Sequence, residues 1–443
     1  MRRPLVSCYF GLAMNYTYKQ IWLINYPVMM SILMEQLINI TDALFLGHVG
    51  EVELGASALA CVYYMAIYIL GFGFSLGLQV MIARRNGEQQ YGKTGRTFFQ
   101  GLFFLGGLAV VLILASSLVT PSLMKYFIRS PQIYQAVIDY LNWRCVGLLF
   151  SFPFLAFRSF YVGITKTKIL TLAALAAVLI NIPCNYLFIF GLDLGISGAA
   201  MASSLAEAGS LLIIVVYTLA QTDKKKYGLR TVYDGKLLRD VLRLSGWSMM
   251  HAFVSVAPWF LFFIAIERLG EVQLAVSNIT RSVSTIFFVI VNSFAATTAS
   301  LVSNLIGEGK GDQLFGLCRK ILKLAYAIGL PLVVLAMLFN RQIMGFYTDN
   351  PLLIEIAFYP FIVMLLNYLF AVPGFVYSNA LAGTGDTRTA FIFQVTTIIV
   401  YLIYLYVLSY CFTTPLAVYL TAEYLFVALL GIQSYIYMKY SCK

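Results

Sequence analysis

Twelve stretches of this chain are long and apolar enough to span lipid, at 21–46, 54–82, 97–119, 138–162, 169–190, 196–220, 245–267, 274–303, 318–340, 358–382, 390–411 and 415–438. About 20 apolar residues suffice for a helix to cross a hydrocarbon core roughly 30 Å thick. Lipid offers no partner to a free backbone N–H or C=O, so each stretch is expected to be an α-helix. Composition points the same way. Of the 443 residues, 60% are hydrophobic and 11% charged, whereas a soluble domain carries about 25% charged residues. A chain this poor in charge cannot cover a surface in water.

Charge distribution orients the spans. With the N-terminus inside, the inner segments hold Arg2, Arg3, Lys19, Arg84, Arg85, Lys93, Arg96, Lys166, Lys168, the run from Lys224 to Arg243, Lys310, Arg319, Lys320, Lys323, Arg388, Lys439 and Lys443. The outer loops hold only Lys125, Arg129, Arg268 and Arg341. Lys and Arg gather on the cytoplasmic side, so both termini are expected there and the number of spans is even. The formal net charge of +11 is therefore an orientation signal, and no nucleic-acid partner is expected. The seven cysteines (Cys8, Cys61, Cys145, Cys184, Cys318, Cys411 and Cys442) are scattered and contain no CxxC, so they read as small apolar residues and not as a disulfide frame or metal site. Two histidines, His48 and His251, are too few for a histidine-rich metal centre. The polar stretch from Asn15 to Gln20 leads straight into a full-length span, without a cleavage signal.

The chain repeats itself at an offset of 220 residues. VGEVELGASALA (49–60) matches LGEVQLAVSNIT (269–280), Gly87-Glu88 matches Gly307-Glu308, Pro131 matches Pro351, and GITKTK (163–168) matches GTGDTR (383–388). Four landmarks in one register divide the chain into an N-lobe at 1–220, a basic cytoplasmic linker at 221–244 and a C-lobe at 245–443, with six spans in each lobe. An even span number per half makes the repeats parallel, related by an axis along the membrane normal, the plan in which a transporter holds substrate between its halves. No GxxxxGK[ST] motif is present, so an ion gradient is the expected energy source. No HExxH motif, paired aspartates or Ser/Lys set lies at membrane depth, and GISGAA (195–200) has no base nearby, so no enzyme is expected. A pore-loop filter sequence is likewise missing.

Acids at membrane depth are costly and mark function. Glu35, Asn39 and Asp42 share one helix face at i, i+4 and i+7, Asn181 and Asn185 lie at i and i+4 in the fifth span, and Ser203 and Glu207 at i and i+4 in the sixth. A carboxylate with amide and hydroxyl oxygens suits a hard monovalent cation such as Na⁺, and the same Asp42 could carry a proton. A structural polar cluster joining the three helices is the plainer alternative. Glu423 stands at the 220 offset from Ser203 and reads either as a counter-charge to substrate or as the partner of Arg281. Arg144 and Arg281, near the outer span ends, read as structural and could snorkel outward. Pro27 permits a kink in the first span. Tyr63, Tyr64, Met65 and Tyr68 are candidates to line a cleft for flat organic cations.

Several segments resemble the MATE (multidrug and toxic compound extrusion) family of the MOP flippase superfamily. They are NITDALFLGHVGEVELGASALA (39–60), NIPCNYLFIFGLDLGISGAAMAS (181–203), SNLIGEGKGDQ (303–313) and NALAGTGDTRTAF (379–391). The likeness runs along almost the whole chain. It implies an all-α membrane protein of twelve helices in two six-helix bundles. It also implies a monomeric antiporter of a bacterial inner membrane that exports small organic, often cationic, compounds in exchange for Na⁺ or H⁺, without a cofactor. The resemblance places Asp42, Asn181, Asn185 and Ser203 at the N-lobe cation site, though some relatives carry Asp at Asn185 and Thr at Ser203. It leaves Glu35, Asn39, Glu207 and Glu423 as a substrate or proton relay, and associates Pro27 with bending of the first helix. Acids that other relatives carry in spans 7 and 10 are Ser255 and Ala371 here, so no C-lobe cation site of that kind is expected. The alternative within the superfamily, a flippase for a lipid-linked saccharide or another lipid, calls for a basic cleft, and this chain places acids at depth instead.

Overall fold

The computed structural model describes residues 16–267, 269–347, 350–411 and 415–441. Arg2, Arg3, Cys8, Asn15, Arg268, Cys442 and Lys443, considered above, lie outside the described residues. Helices α1 (Tyr18–Val49), α2 (Glu51–Gly87), α3 (Tyr91–Phe127), α4 (Pro131–Val146), α5 (Leu148–Gly163), α6 (Lys168–Tyr186) and α7 (Gly195–Gln221) form the first half. Helices α8 (Gly235–Val254), α9 (Ala257–Glu267), α10 (Glu271–Gly307), α11 (Leu314–Leu338), the short α12 (Asn340–Gly345), α13 (Pro351–Leu366), α14 (Tyr368–Gly383), α15 (Thr387–Cys411) and α16 (Leu416–Ser441) follow. Eleven segments are long and apolar enough to cross a membrane, α8–α9 and α13–α14 each counting as one, and the pair α4–α5, bent by 43°, brings the number to twelve.

Local chemistry sets many of the ends. Thr17 and Gln20 close a reciprocal capping box at the start of α1. Ser130 caps α4 with Pro131 just inside it, and Asn350 with Pro351 does the same for α13. The repeat is visible in the bounds themselves: α2 and α10, α4 and α13, and α5 and α14 correspond residue for residue at the 220 offset. Helices overrun the apolar windows because their polar ends continue past the hydrocarbon, as in α3, which runs from Tyr91 to Phe127. Helix α8 begins at Gly235, inside the stretch expected to be linker, with Asp234 capping it through Lys236 N and Leu237 N, both at 3.1 Å. The rest of the linker lies on α3: Gly95 N donates to Tyr227 O at 3.0 Å, Gln100 Nε2 to Val232 O at 2.7 Å, and Asp234 N to Gln100 Oε1 at 3.1 Å.

Buried apolar side chains form two clusters. One runs from Val28 to Val241 and includes Ala296, with Met249 packed on it. The other runs from Phe262 to Met438 and includes Tyr16 and Ile21, with Trp22 and Val254 packed on it. Helix α10 is the central element, 78% buried over its most apolar window, whereas α3, at 17%, faces outward. The halves meet along α2, α8 and α10.

Hydrogen bonds between the halves gather at the basic end. Asn86 Nδ2 donates to Asn304 Oδ1 at 2.7 Å, and Asn304 Nδ2 donates to Gly163 O at 2.9 Å. Ser300 Oγ reaches Val162 O and Ser303 Oγ reaches Val80 O, both at 2.7 Å, and Arg84 Nη1 donates to Thr384 O at 3.1 Å. Two glycines related by the repeat allow this approach. A Cβ on Gly87 would stand 2.1 Å from Asn304 O, and one on Gly307 would stand 2.3 Å from Arg84 O. Small residues let membrane helices come this close, and the backbone oxygens there cannot swing aside. Gly87→Ala is therefore expected to separate α2 from α10 and lower stability by about 1–3 kcal/mol, the usual cost of overpacking. A thermal melt of the detergent-purified variant that superimposes on the parent would disprove this.

Candidate functional site

Asp42 lies near the end of α1 remote from the basic loops, and α1 packs on both α6 and α7. Its Oδ1 accepts from Asn181 Nδ2 at 3.1 Å and from Asn185 Nδ2 at 2.5 Å, and its Oδ2 accepts from Ser203 Oγ at 2.6 Å. The i, i+4 spacing on α6 places both amides on the face turned to α1, and both are fully buried, with Ser203 at 3% exposure. Asn181 Nδ2 also donates to Ser203 Oγ at 3.2 Å, Asn185 Nδ2 to Asn181 Oδ1 at 3.1 Å, and Thr41 Oγ1 to Asn181 Oδ1 at 3.5 Å. Asp42 forms no ion pair among the described residues.

The site thus contains a carboxylate, a hydroxyl and two amides from three helices. Asn185 Oδ1 is buried without a hydrogen-bond partner among the described residues. Rotation of an amide about its last bond exchanges a donor for an oxygen at the same place, so the four residues can also present five hard oxygens to a small cation. Among the described residues no group of three or more His, Cys, Asp or Glu side chains is placed to hold a metal ion.

Glu35 and Asn39 share the helix face but not the cluster. Both are exposed, and neither forms a hydrogen bond or ion pair among the described residues. Glu35 lies within electrostatic reach of Arg158, Arg144 and Glu207. Arg144 does not snorkel. It turns inward, with Nη2 at 2.8 Å from Glu207 Oε1 and its guanidinium 4.0 Å above the Tyr64 ring. Outward exit would cost it that carboxylate, and Gly147, at the bend between α4 and α5, leaves the room: a Cβ there would lie 2.5 Å from Glu207 Oε2. Tyr64 also donates to Glu207 Oε1 at 3.5 Å and stacks with Tyr68 at 6.0 Å. Tyr63 turns away to α3, where it receives from Thr120 at 2.8 Å, and Met65 is exposed.

Sequence reasoning missed Arg158. It is 7% exposed in α5, forms no ion pair among the described residues, and lies 5.4 Å from the Phe72 ring centre. The signal was available, since it is an ionisable group well inside an apolar window. Asn25 was missed as well. It is fully buried in α1, where it receives from Thr297 at 2.9 Å and donates to Ser293 at 3.4 Å. Helix α1 continues through Pro27, and Thr167 Oγ1 donates to Ile24 O at 2.8 Å in the turn that the proline disturbs.

In the second half, Arg281 also turns inward, with Nη2 3.2 Å from Glu423 Oε1. Tyr401 donates to the same oxygen at 3.4 Å. Ser255 Oγ is taken up by His251 O at 2.7 Å, and Ala371 is buried in α14.

The MatE family model matches the chain twice, over residues 27–187 and 248–407, once in each half. A probable multidrug resistance protein NorM of Photorhabdus laumondii is 25% identical over 84% of this chain and 83% of its own length. A second, from Shewanella oneidensis, is 24% identical over 82% and 81%. Among solved structures, the outward-facing conformation of a multidrug resistance MATE family transporter of the MOP superfamily superposes with a TM-score of 0.89 at 20% identity, covering 96% of both chains. The paired match, spanning the helices that carry Asp42, Asn181 and Asn185 and their second-half counterparts, establishes that the chain belongs to the MatE family.

Proposed function

We propose that this chain is a secondary active multidrug efflux antiporter that exports small organic, often cationic, compounds in exchange for Na⁺ or H⁺ carried at Asp42. The observation that supports it most is the Asp42 carboxylate, inside the bundle and answered by donors from two other helices. Loading an ion there changes which groups face the carboxylate. With a proton or Na⁺ present, Asn181, Asn185 and Ser203 turn oxygens toward the site, and the contacts of α1 with α6 and α7 change with them. Pro27, which weakens the ladder of α1, is the point at which the helix would bend in response.

In this reading the working parts are an N-lobe at 1–220, a linker at 221–244 and a C-lobe at 245–443, in a monomer of a bacterial inner membrane with both termini cytoplasmic. Closure at the basic end then corresponds to an outward-facing state. Glu35 and Glu207, with Asn39 alongside, serve as the relay between substrate and Asp42, and Tyr64 and Tyr68 offer aromatic faces to an organic cation. A flippase would need a cleft of several free basic groups for a phosphate, whereas Arg144 and Arg281 are each neutralised by a glutamate, which leaves Arg158 as the one buried arginine without an ion pair among the described residues.

Two measurements test the proposal. In everted vesicles, gradient-driven movement of a fluorescent organic cation is expected to fall to the background level in Asp42→Asn. The gradient that sustains wild-type transport, Na⁺ or H⁺, names the ion, and undiminished transport in the variant would remove Asp42 as the carrier. In Asn185→Asp, a second carboxylate enters the site, so the ion should be held more tightly and released more slowly. Half-saturation for the coupling ion should drop together with the maximal rate, and a variant with both values unchanged would count against ligation at this position.

A further inference from the structure

The repeat reaches the site itself. At the 220 offset, Asp42 corresponds to Phe262, Asn181 to Tyr401, Ser203 to Glu423 and Cys61 to Arg281. Helix starts keep that register to within one residue beyond the sequence landmarks, with α6 from Lys168 beside α15 from Thr387 and α7 from Gly195 beside α16 from Leu416. The four second-half residues meet one another. Glu423 Oε1 takes Arg281 Nη2 at 3.2 Å and the Tyr401 hydroxyl at 3.4 Å, and the Arg281 guanidinium lies 4.5 Å from the centre of the Phe262 ring.

A polar centre has thus been built at the same place in both halves, with the apolar Leu405 where Asn185 stands in the first half, and with two further differences. The carboxylate arrives from the last helix instead of the first, and a guanidinium rests on it. Arg281 and Glu423 are each only 8% exposed. Phe263 at 5.3 Å and Trp259 at 5.7 Å complete an aromatic wall around the guanidinium. Arg281 Nη1 and the hydroxyls of Thr280 and Ser277, on the turn before it, are buried without hydrogen-bond partners among the described residues. The guanidinium therefore has a donor that its ion pair does not use.

We infer that Arg281 is a tethered cation, standing at the second-half counterpart of the Asp42 site where an exchangeable Na⁺ or H⁺ would otherwise neutralise Glu423. Arginine keeps its proton in proteins, and its attachment to α10 holds it at the carboxylate at a concentration no free ion matches. The second-half centre is consequently neutral throughout the cycle, and the coupling charge is carried by the first-half site alone. Removing the arginine leaves a buried, uncompensated carboxylate, which a monovalent cation or proton then neutralises. The inference rests on Asp42 as ion carrier for its account of coupling, but the ion count at Glu423 can be read separately.

The test counts ion equivalents per purified chain, as radiolabelled Na⁺ bound plus protons taken up in weakly buffered detergent solution. Wild type is expected to hold one equivalent and Asp42→Asn none. Asp42→Asn with Arg281→Gln should regain one, and adding Glu423→Gln should abolish it again. A folded, monodisperse Asp42→Asn/Arg281→Gln chain that binds nothing overturns the inference and leaves the pair as a tie between α10 and α16. If that chain does not fold, Glu423→Gln and Arg281→Lys in the otherwise native protein decide. Both should leave the count at one, and a gain or loss in either overturns it. Equal counts in wild type and Asp42→Asn would instead refute the first-half site while leaving the Glu423 comparison intact.

Discussion

A carboxylate surrounded by lipid-facing helices has no water to answer it, and the protein must supply what solvent would. Each deep acid of this chain that pairs at all is answered from another helix, in one of two ways. Asp42 is met by neutral donors that can be rearranged, whereas Glu207 and Glu423 are met by arginines whose charge is fixed. The packing of α1 on α6 and α7 follows from the first arrangement, and the inward course of Arg144 past the Gly147 bend follows from the second. Polar chemistry, more than apolar matching, decides which helix faces meet, because apolar side chains gain little by leaving lipid for one another.

The asymmetry between the two ends of the bundle has the same origin. At the basic end, Asn86, Ser300, Ser303 and Asn304 spend their hydrogen bonds on backbone and side chains of the opposite half, and Gly87 and Gly307 let the backbones touch. These bonds are short and numerous enough to hold one end shut, yet each is worth only about 0.6–2 kcal/mol in a membrane protein. Closure of this kind is firm collectively and can be undone stepwise.

Much of this was legible in the sequence. Hydropathy gave the spans, and the 220 offset anticipated helices whose ends correspond residue for residue, such as α4 and α13. The i, i+4 pairs Asn181/Asn185 and Ser203/Glu207 marked faces that do turn inward, because helical spacing fixes direction about the axis. The direction of long side chains was not legible. Whether Arg144 and Arg281 reach outward or inward depends on carboxylates far away in sequence and on the space left by a bend, which hydropathy does not encode. Arg158 escaped notice although its position in an apolar window was plain. Helix α8 starts ahead of the apolar window that opens at 245 because its first turns, from Gly235, are helical but too polar to register as part of a span.

The linker has a mechanical consequence. Thr222 is bonded to Tyr161 at 2.8 Å, and Tyr227, Val232 and Asp234 are fastened to α3, so the loop between the halves has little free length. Helix α8 then runs along α2, with Val241 and Met249 in the first cluster, and only from Val254 and Phe262 does the chain join the second. The covalent joint between the halves is therefore not the loop but the interruption between α8 and α9, at Ser255 and Val256, within the membrane. Helix α1 crosses in the opposite sense, from Ile21 in the second cluster to Val28 and Leu46 in the first. The two halves thus interlock like clasped hands, the first holding α8 as far as Met249 and the second holding the start of α1, so neither half can shift without disturbing a helix that the other shares.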